Sequence, residues 1–203
     1  MALTHTTYLR PEARDKLLDQ LERGAIVARA RGHRLPVRDH MLFTMLLAAG
    51  TRPTEMARAA VGALHLGREP RITITRLKRR KAIVEDAFLP GALKGALADY
   101  LSWMKASGLS TEPSAPLFPG RDGKPMTRSG IFRRWKAALR AAGLPEDVEL
   151  RATRHTCAVS LYRATRDLKL VQRHLGHASV SSTQVYADVL PEDVQAGVNA
   201  AWR

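Results

Sequence analysis

A change of period partway along the chain limits what it can fold into. Apolar residues at helical spacing give way at RITITRL (71–77) to strict alternation, with β-branched residues at 72–75. AIVEDAFL (82–89) is a second strand-like run, and the basic cluster Lys78–Lys81 between the two reads as a hairpin tip. Leu64–Leu66 adds a short third strand, and Pro90-Gly91 closes the sheet. Helices, a small antiparallel sheet, then helices: the order predicts an α+β domain, mainly α, with the hairpin set between helical segments.

The flanking helices are read from caps and spacing. Residues 1–10 form a short, loosely held lead. Pro11 suits a first helical turn, and Leu17, Leu18 and Leu21 give the helix over about 11–31 its apolar face, ended by Gly32. A second helix runs over about 37–49 and stops at Gly50. A third starts at Pro53, with Thr51 as a cap, and ends near Val61 or Gly62. Leu93, Leu97, Tyr100, Leu101 and Met104 mark a helix over about 92–106. A Pro/Gly/Ser-rich stretch fills 108–127; in a chain of this length it is a surface loop within one domain rather than a linker. Further helices are expected at about 128–142, 152–164, 167–175, 180–188 and 191–201.

Charge narrows the partner. Thirty-three Lys+Arg against 19 acids leave +14, and a polyanion is the natural counterpart, nucleic acid first. Aromatics are only 5%, so stacking of bases on an aromatic platform is excluded as the main contact, and phosphates are expected to dominate. The single cysteine, Cys157, permits neither an internal disulfide nor a Cys-based zinc site. No signal peptide opens the chain and no apolar run reaches about 18 residues, which predicts a cytoplasmic, nucleoid-associated protein without a membrane partner.

Four stretches carry candidate chemistry. In AAGTRPTEMARA, Arg52 lies in a bend between helices with Glu55 three residues on. In TRLKRRK, Lys78, Arg79, Arg80 and Lys81 crowd the hairpin tip. In ELRATRHTCAVSLY, Arg151 and Arg154 stand three apart ahead of an apolar helix. In LVQRHLGHASVSSTQVYADV (170–189), His177 follows a Leu-Gly turn and Tyr186 follows a hydroxyl-rich bend. Taken singly, each has a plain structural reading: a surface ion pair, a solvated tip, a helix face, a half-buried aromatic. His174 and His177 could suggest a metal, but no Cys or acidic ligand accompanies them. No metal and no cofactor is expected, and His174 is read as a helix-surface residue.

In this order the stretches resemble the catalytic domain of the tyrosine recombinase/phage integrase family: Arg52, Lys78, Arg154, His177, Tyr186. The resemblance covers about residues 11–189. It implies that Tyr186 attacks a DNA phosphodiester and forms a 3′-phosphotyrosine. It implies that Arg52, Arg154 and His177 hold the scissile phosphate, that Glu55 orients the arginines, and that a hairpin lysine acts as general acid toward the leaving 5′ oxygen. Lys78 fits that place best, with Lys81 as the runner-up. Lysine suits the task because its pKa falls near other cations, so it can release a proton where arginine cannot. One position departs from the family pattern: Arg151 stands where His or Lys is usual. Arginine stays protonated, so Arg151 can bind phosphate but cannot take the Tyr186 proton.

The resemblance therefore implies a metal- and ATP-independent site-specific recombinase or integrase, a single catalytic domain over 1–203: either the short type without an N-terminal core-binding domain or, equally, the catalytic part of a longer integrase. It is expected to assemble as a homotetramer on DNA, the segment from about 190 to 203 forming a helix that docks in trans or packs on its own domain. Arg79, Arg80, Lys81, Arg128, Arg133 and Arg134 are candidate DNA contacts. Two alternatives keep the fold and change the activity: an accessory or regulatory DNA-binding protein impaired by Arg151, and a type IB topoisomerase-like relaxing activity.

Overall fold

The computed structural model describes residues 7–78, 81–176 and 181–186, the side chains of 77, 78, 81, 181 and 182 excepted. Eight α-helices among them run in the order α1 (Pro11–Ala30), α2 (Arg34–Ala49), α3 (Pro53–Ala57), then α4 (Leu93–Ala106), α5 (Arg128–Ala141), α6 (Ala152–Thr165), α7 (Leu168–Leu175) and α8 (Ser181–Gln184). Between α3 and α4 lies a three-stranded antiparallel sheet, β1 (Leu64–His65), β2 (Arg71–Lys78) and β3 (Lys81–Phe88), in spatial order β1-β2-β3. The hairpin register pairs Arg71 with Phe88 and Lys78 with Lys81. The mainly helical fold with a small sheet read from the sequence is therefore what forms.

The core explains the order. From Met41 on α2 is apolar nearly all round, and the helix is buried from Val37 through Met41, Leu42, Phe43, Met45 and Leu46 to Ala49. A helix with that pattern must be covered on several sides. α1 lays Leu17, Ala25 and Ala28 on it, and α5 brings Trp135, whose ring stands 5.3 Å from that of Phe43. Trp135 Nε1 donates to the Val148 carbonyl at 2.9 Å, so the buried indole keeps its hydrogen bond. Full burial of its partner Phe43 stabilises the fold by roughly 1.5–3 kcal/mol. The sheet joins the core through its even-numbered face, Ile72 and Ile74, both buried. A second cluster unites Tyr8, Val159, Val171, Leu175 and Tyr186.

Several boundaries differ from expectation for local reasons. α3 stops at Ala57 rather than near 61, and a 3-10 turn at Val61–Ala63 follows. There the Val61 and Gly62 N–H groups donate to the Ala115 and Pro113 carbonyls at 2.8 and 2.9 Å, in place of helical bonds. Those bonds, with Leu117 N–H on Ala59 O at 2.9 Å and Tyr100 Oη on Leu117 O at 2.9 Å, tie the 108–127 loop to the body of the fold. Thr51 does not cap α3: its hydroxyl is buried without a hydrogen-bond partner among the described residues, and Arg52 holds the N-cap position. Residues 7–9 are not a loose lead. Tyr8 and Leu9 are buried, and Leu9 N–H donates to Thr156 Oγ1 at 2.8 Å. The helix expected over 180–188 forms at Ser181–Gln184, and the one expected over 191–201 lies outside the described residues.

Candidate active site

The site begins where α2 ends. Gly50 caps that helix in the left-handed region, φ 61°, and lets the chain turn sharply. A Cβ there would lie 2.8 Å from Leu175 Cδ2 and 2.9 Å from Cys157 Sγ, so glycine also allows α2 to meet α6 and α7 closely. Two residues on, Arg52 precedes α3. Its backbone N–H donates to Glu55 Oε2 at 2.9 Å and its Nη1 to Glu55 Oε1 at 2.7 Å. The Arg52 side chain is still 52% exposed, whereas Glu55 is 10% exposed. Glu55 thus fixes the arginine from behind and leaves its outer edge open to an anion.

Arg154 sits in the first turn of α6 and points into the same place. Its Nη1 donates to Gly50 O at 2.7 Å and its Nη2 to Leu175 O at 2.8 Å. Both acceptors are terminal carbonyls of helices, groups that lack an intrahelical partner and carry the negative end of the helix dipole. One guanidinium therefore joins the ends of α2 and α7. Burial first, then the neighbouring Arg52 and Arg76 cations, pull the Arg154 pKa down to about 10. It remains charged at neutral pH, in a crowd of like charges that a bound phosphate would relieve.

Arg76 and Glu85 belong to this cluster, and the motif reading passed over both. The Arg76 side chain is 1% exposed. Its Nη1 donates to Glu85 Oε2 at 2.7 Å and to Leu175 O at 2.6 Å, and its Nε lies 3.6 Å from Glu55 Oε2. Leu175 O is thus gripped by two arginines just before Gly176, which caps α7. Gly176 has φ 65°, and a Cβ on it would collide with Arg76 Nη1. The signal was in the alternation: Arg76 shares the even-numbered face of β2 with buried Ile72 and Ile74.

Tyr186 follows α8 and is buried against Val171 and Leu175. Its hydroxyl lies 3.0 Å from Nδ1 of His155, the residue that follows Arg154. Burial raises the Tyr186 pKa above its usual value, and Arg154 opposes that rise. His155 is pushed down to about 4 by burial, then by Arg151 and Arg154. Arg151 itself is exposed at the start of α6 and ion-pairs with Glu149. His174 is half-buried, not on the surface: its Nε2 lies 3.7 Å from Cys157 Sγ, and burial lowers its pKa. The structure thus brings Arg52, Glu55, Arg154 and Tyr186 together and adds Arg76, Glu85 and His155.

The remaining sequence candidates are placed as follows. His177, Arg79 and Arg80 lie outside the described residues; Lys78 and Lys81 end β2 and β3 side by side, with side chains undescribed. Arg128 and Arg133 are exposed on α5, while Arg134 ion-pairs with buried Asp39. Among the described residues no group of three or more His, Cys, Asp or Glu is placed to hold a metal ion, and no helix is long and apolar enough to cross a membrane.

Comparison with known proteins gives the same picture. The profile of the phage integrase family matches residues 8–193. Tyrosine recombinase XerC of Erythrobacter litoralis is 34% identical over 176 residues, 86% of this chain and 53% of that protein. The chain spans about half the length of the curated relatives it matches. The structure of XerH recombinase in its post-cleavage complex with palindromic difH superposes with a TM-score of 0.75 at 22% identity, over 98% of this chain and 54% of that one. XerA recombinase superposes with a TM-score of 0.70 at 23% identity, over 90% of this chain and 60% of that one. At that identity the likeness speaks for the fold, and it agrees with the sequence match: the chain belongs to the phage integrase family, the tyrosine recombinases.

Proposed function

We propose that this chain is the catalytic domain of a site-specific recombinase that cuts and rejoins double-stranded DNA through a 3′-phosphotyrosine. The observation that carries the reading is the convergence of Arg52, Arg154 and Tyr186 on the junction of α2, α6 and α7, with Arg154 anchored to Gly50 O and Leu175 O. The Tyr186 oxygen attacks phosphorus, a Tyr–O–P bond forms, the P–O5′ bond breaks, and Lys78 gives the leaving 5′ oxygen its proton. Arg52 and Arg154 neutralise the charge that gathers on the phosphoryl oxygens, Arg151 adds a further cation at the start of α6, and His177 hydrogen-bonds a non-bridging oxygen. Preorganised cations of this kind are the largest source of stabilisation in such transfers. The phosphotyrosyl bond keeps the energy of the broken diester, so resealing needs no nucleotide.

Two supports come from charge and position. Three guanidiniums, Arg52, Arg76 and Arg154, meet two carboxylates, Glu55 and Glu85, in one cluster, so a residual positive charge awaits an anion. The whole chain carries +14, which suits a phosphate backbone, with Arg79, Arg80, Lys81, Arg128, Arg133 and Arg134 as further contacts. On this reading residues 1–203 act as one catalytic domain, and the segment after Tyr186 docks on a neighbouring protomer to build a tetramer. Truncation after Leu190 then weakens assembly on DNA without unfolding the monomer.

The test is a covalent-adduct assay. The protein is incubated with supercoiled plasmid carrying DNA from around its own gene, denatured, and scored for protein-linked DNA beside Tyr186→Phe. An adduct at one mapped position that vanishes in the variant is the expected result. Salt-sensitive binding without any adduct would favour an accessory DNA-binding role, and adducts at many positions a relaxing activity.

A further inference from the structure

We infer that His155 is the general base that accepts the Tyr186 proton, in the place that Arg151 cannot fill. The inference rests on the proposed strand-transfer reading and adds a catalytic residue to it. Some group must take the phenol proton as the Tyr–O–P bond forms, because a neutral phenol is a weak nucleophile. Arg151 is permanently protonated. His155 Nδ1 lies 3.0 Å from Tyr186 Oη, within reach for direct proton transfer. The two rings also pack together, with centroids 5.8 Å apart. α6 fixes the imidazole, since His155 directly follows Arg154, whose guanidinium is pinned to the ends of α2 and α7.

The protonation state agrees with this role. Among the described residues, the charged and titratable groups facing His155 are Arg151 and Arg154 on its own helix, Glu149 just before it, and Tyr186 from beyond α8. Burial and the two arginines keep the imidazole neutral in the free chain, and Glu149 opposes them weakly. The tautomer with its hydrogen on Nε2 leaves Nδ1 to accept from the phenol. A phosphate diester bound at Arg154 offsets the arginine field, so His155 becomes a stronger base when DNA arrives. The phenol becomes more acidic as its oxygen bonds to phosphorus, so the proton moves to Nδ1 within the attack. In resealing, the same imidazolium returns the proton to the departing tyrosine.

The test is single-turnover adduct formation on a nicked duplex built from the mapped cleavage site, followed as a function of pH. The wild type is compared with His155→Asn, whose side-chain amide can keep a hydrogen bond to Tyr186 but cannot take a proton. DNA affinity is measured alongside by fluorescence anisotropy. His155→Asn is expected to bind DNA as the wild type does, to form adduct about 100-fold more slowly, and to lose the acid limb of the pH profile. A rate within a few-fold of the wild type, or a faster one, would make His155 a packing partner or a latch on Tyr186 and overturn the inference. If His155→Asn does not fold, His155→Gln carries the same comparison. Absence of adduct from the wild type on DNA that it binds would overturn the strand-transfer reading itself, and this inference with it.

Discussion

Arg76 is the residue on which the site's geometry leans most. It is buried between Glu55 and Glu85 and holds the end of α7. Removing one partner of a buried ion pair leaves an uncompensated charge, a loss of about 3–5 kcal/mol. Arg76→Met is expected to lower stability by that order in urea denaturation, whereas Arg140→Ala, which breaks only an exposed pair with Glu146, leaves the midpoint in place. The histidines set the acid side of the stability curve. His40, His155 and His174 all have pKa values lowered by burial, so their stabilising contribution is complete above the unfolded value near 6.5. For His155 it is lost as pH falls from there through about 4. Urea midpoints measured across that window should fall with pH, and His155→Gln should flatten the dependence. At the hairpin, Lys78→Ala is expected to slow cleavage by roughly 10²–10⁴-fold, the range for loss of a general acid, and Lys81→Ala far less. The reverse pattern would transfer the role to Lys81.

At the scale of elements, the glycine caps decide how closely the helices meet. Gly50 and Gly176 both adopt left-handed conformations; Gly50 faces Leu175 and Cys157, and Gly176 faces Arg76 and Glu85. In Gly50→Ala the backbone strain costs about 1–2 kcal/mol, and the contact with Leu175 and Cys157 adds about 1–3 kcal/mol of overpacking. Thermal unfolding should show the sum as a lowered Tm. The elements themselves were legible because each carries its own period: Leu97, Tyr100 and Met104 on α4, Ile72 and Ile74 on β2. Arg52, Arg154 and Tyr186 were legible because each lies in a compact motif. Arg76 and His155 were not, because their partners lie far off in sequence, Leu175 for the one and Tyr186 for the other. The alternation of β2 held half of that information, placing Arg76 beside two buried isoleucines, but an arginine among threonines reads first as solvent-facing. Residues 7–9 look like a loose lead for a similar reason: nothing local in the sequence shows that Thr156 Oγ1 accepts the Leu9 N–H.

For the whole molecule, if the chain binds DNA as proposed, the excess of 33 basic over 19 acidic residues makes that affinity a function of salt. If six to ten phosphates are contacted, the binding constant should drop on the order of 10³–10⁵-fold between about 50 and 200 mM salt. A flat dependence in filter binding would mean that the charge serves something other than a phosphate backbone. The proposed strand transfer turns on one oxygen atom. The chain has four tyrosines, Tyr8, Tyr100, Tyr162 and Tyr186, and only Tyr186 lies in the arginine cluster. The most direct measurement is to trap the protein–DNA adduct, digest it with nuclease and protease, and locate the nucleotide-bearing residue by tandem mass spectrometry. The account predicts a 3′-linked nucleotide on Tyr186 alone. A nucleotide on any other residue, or on a 5′ linkage, would contradict it.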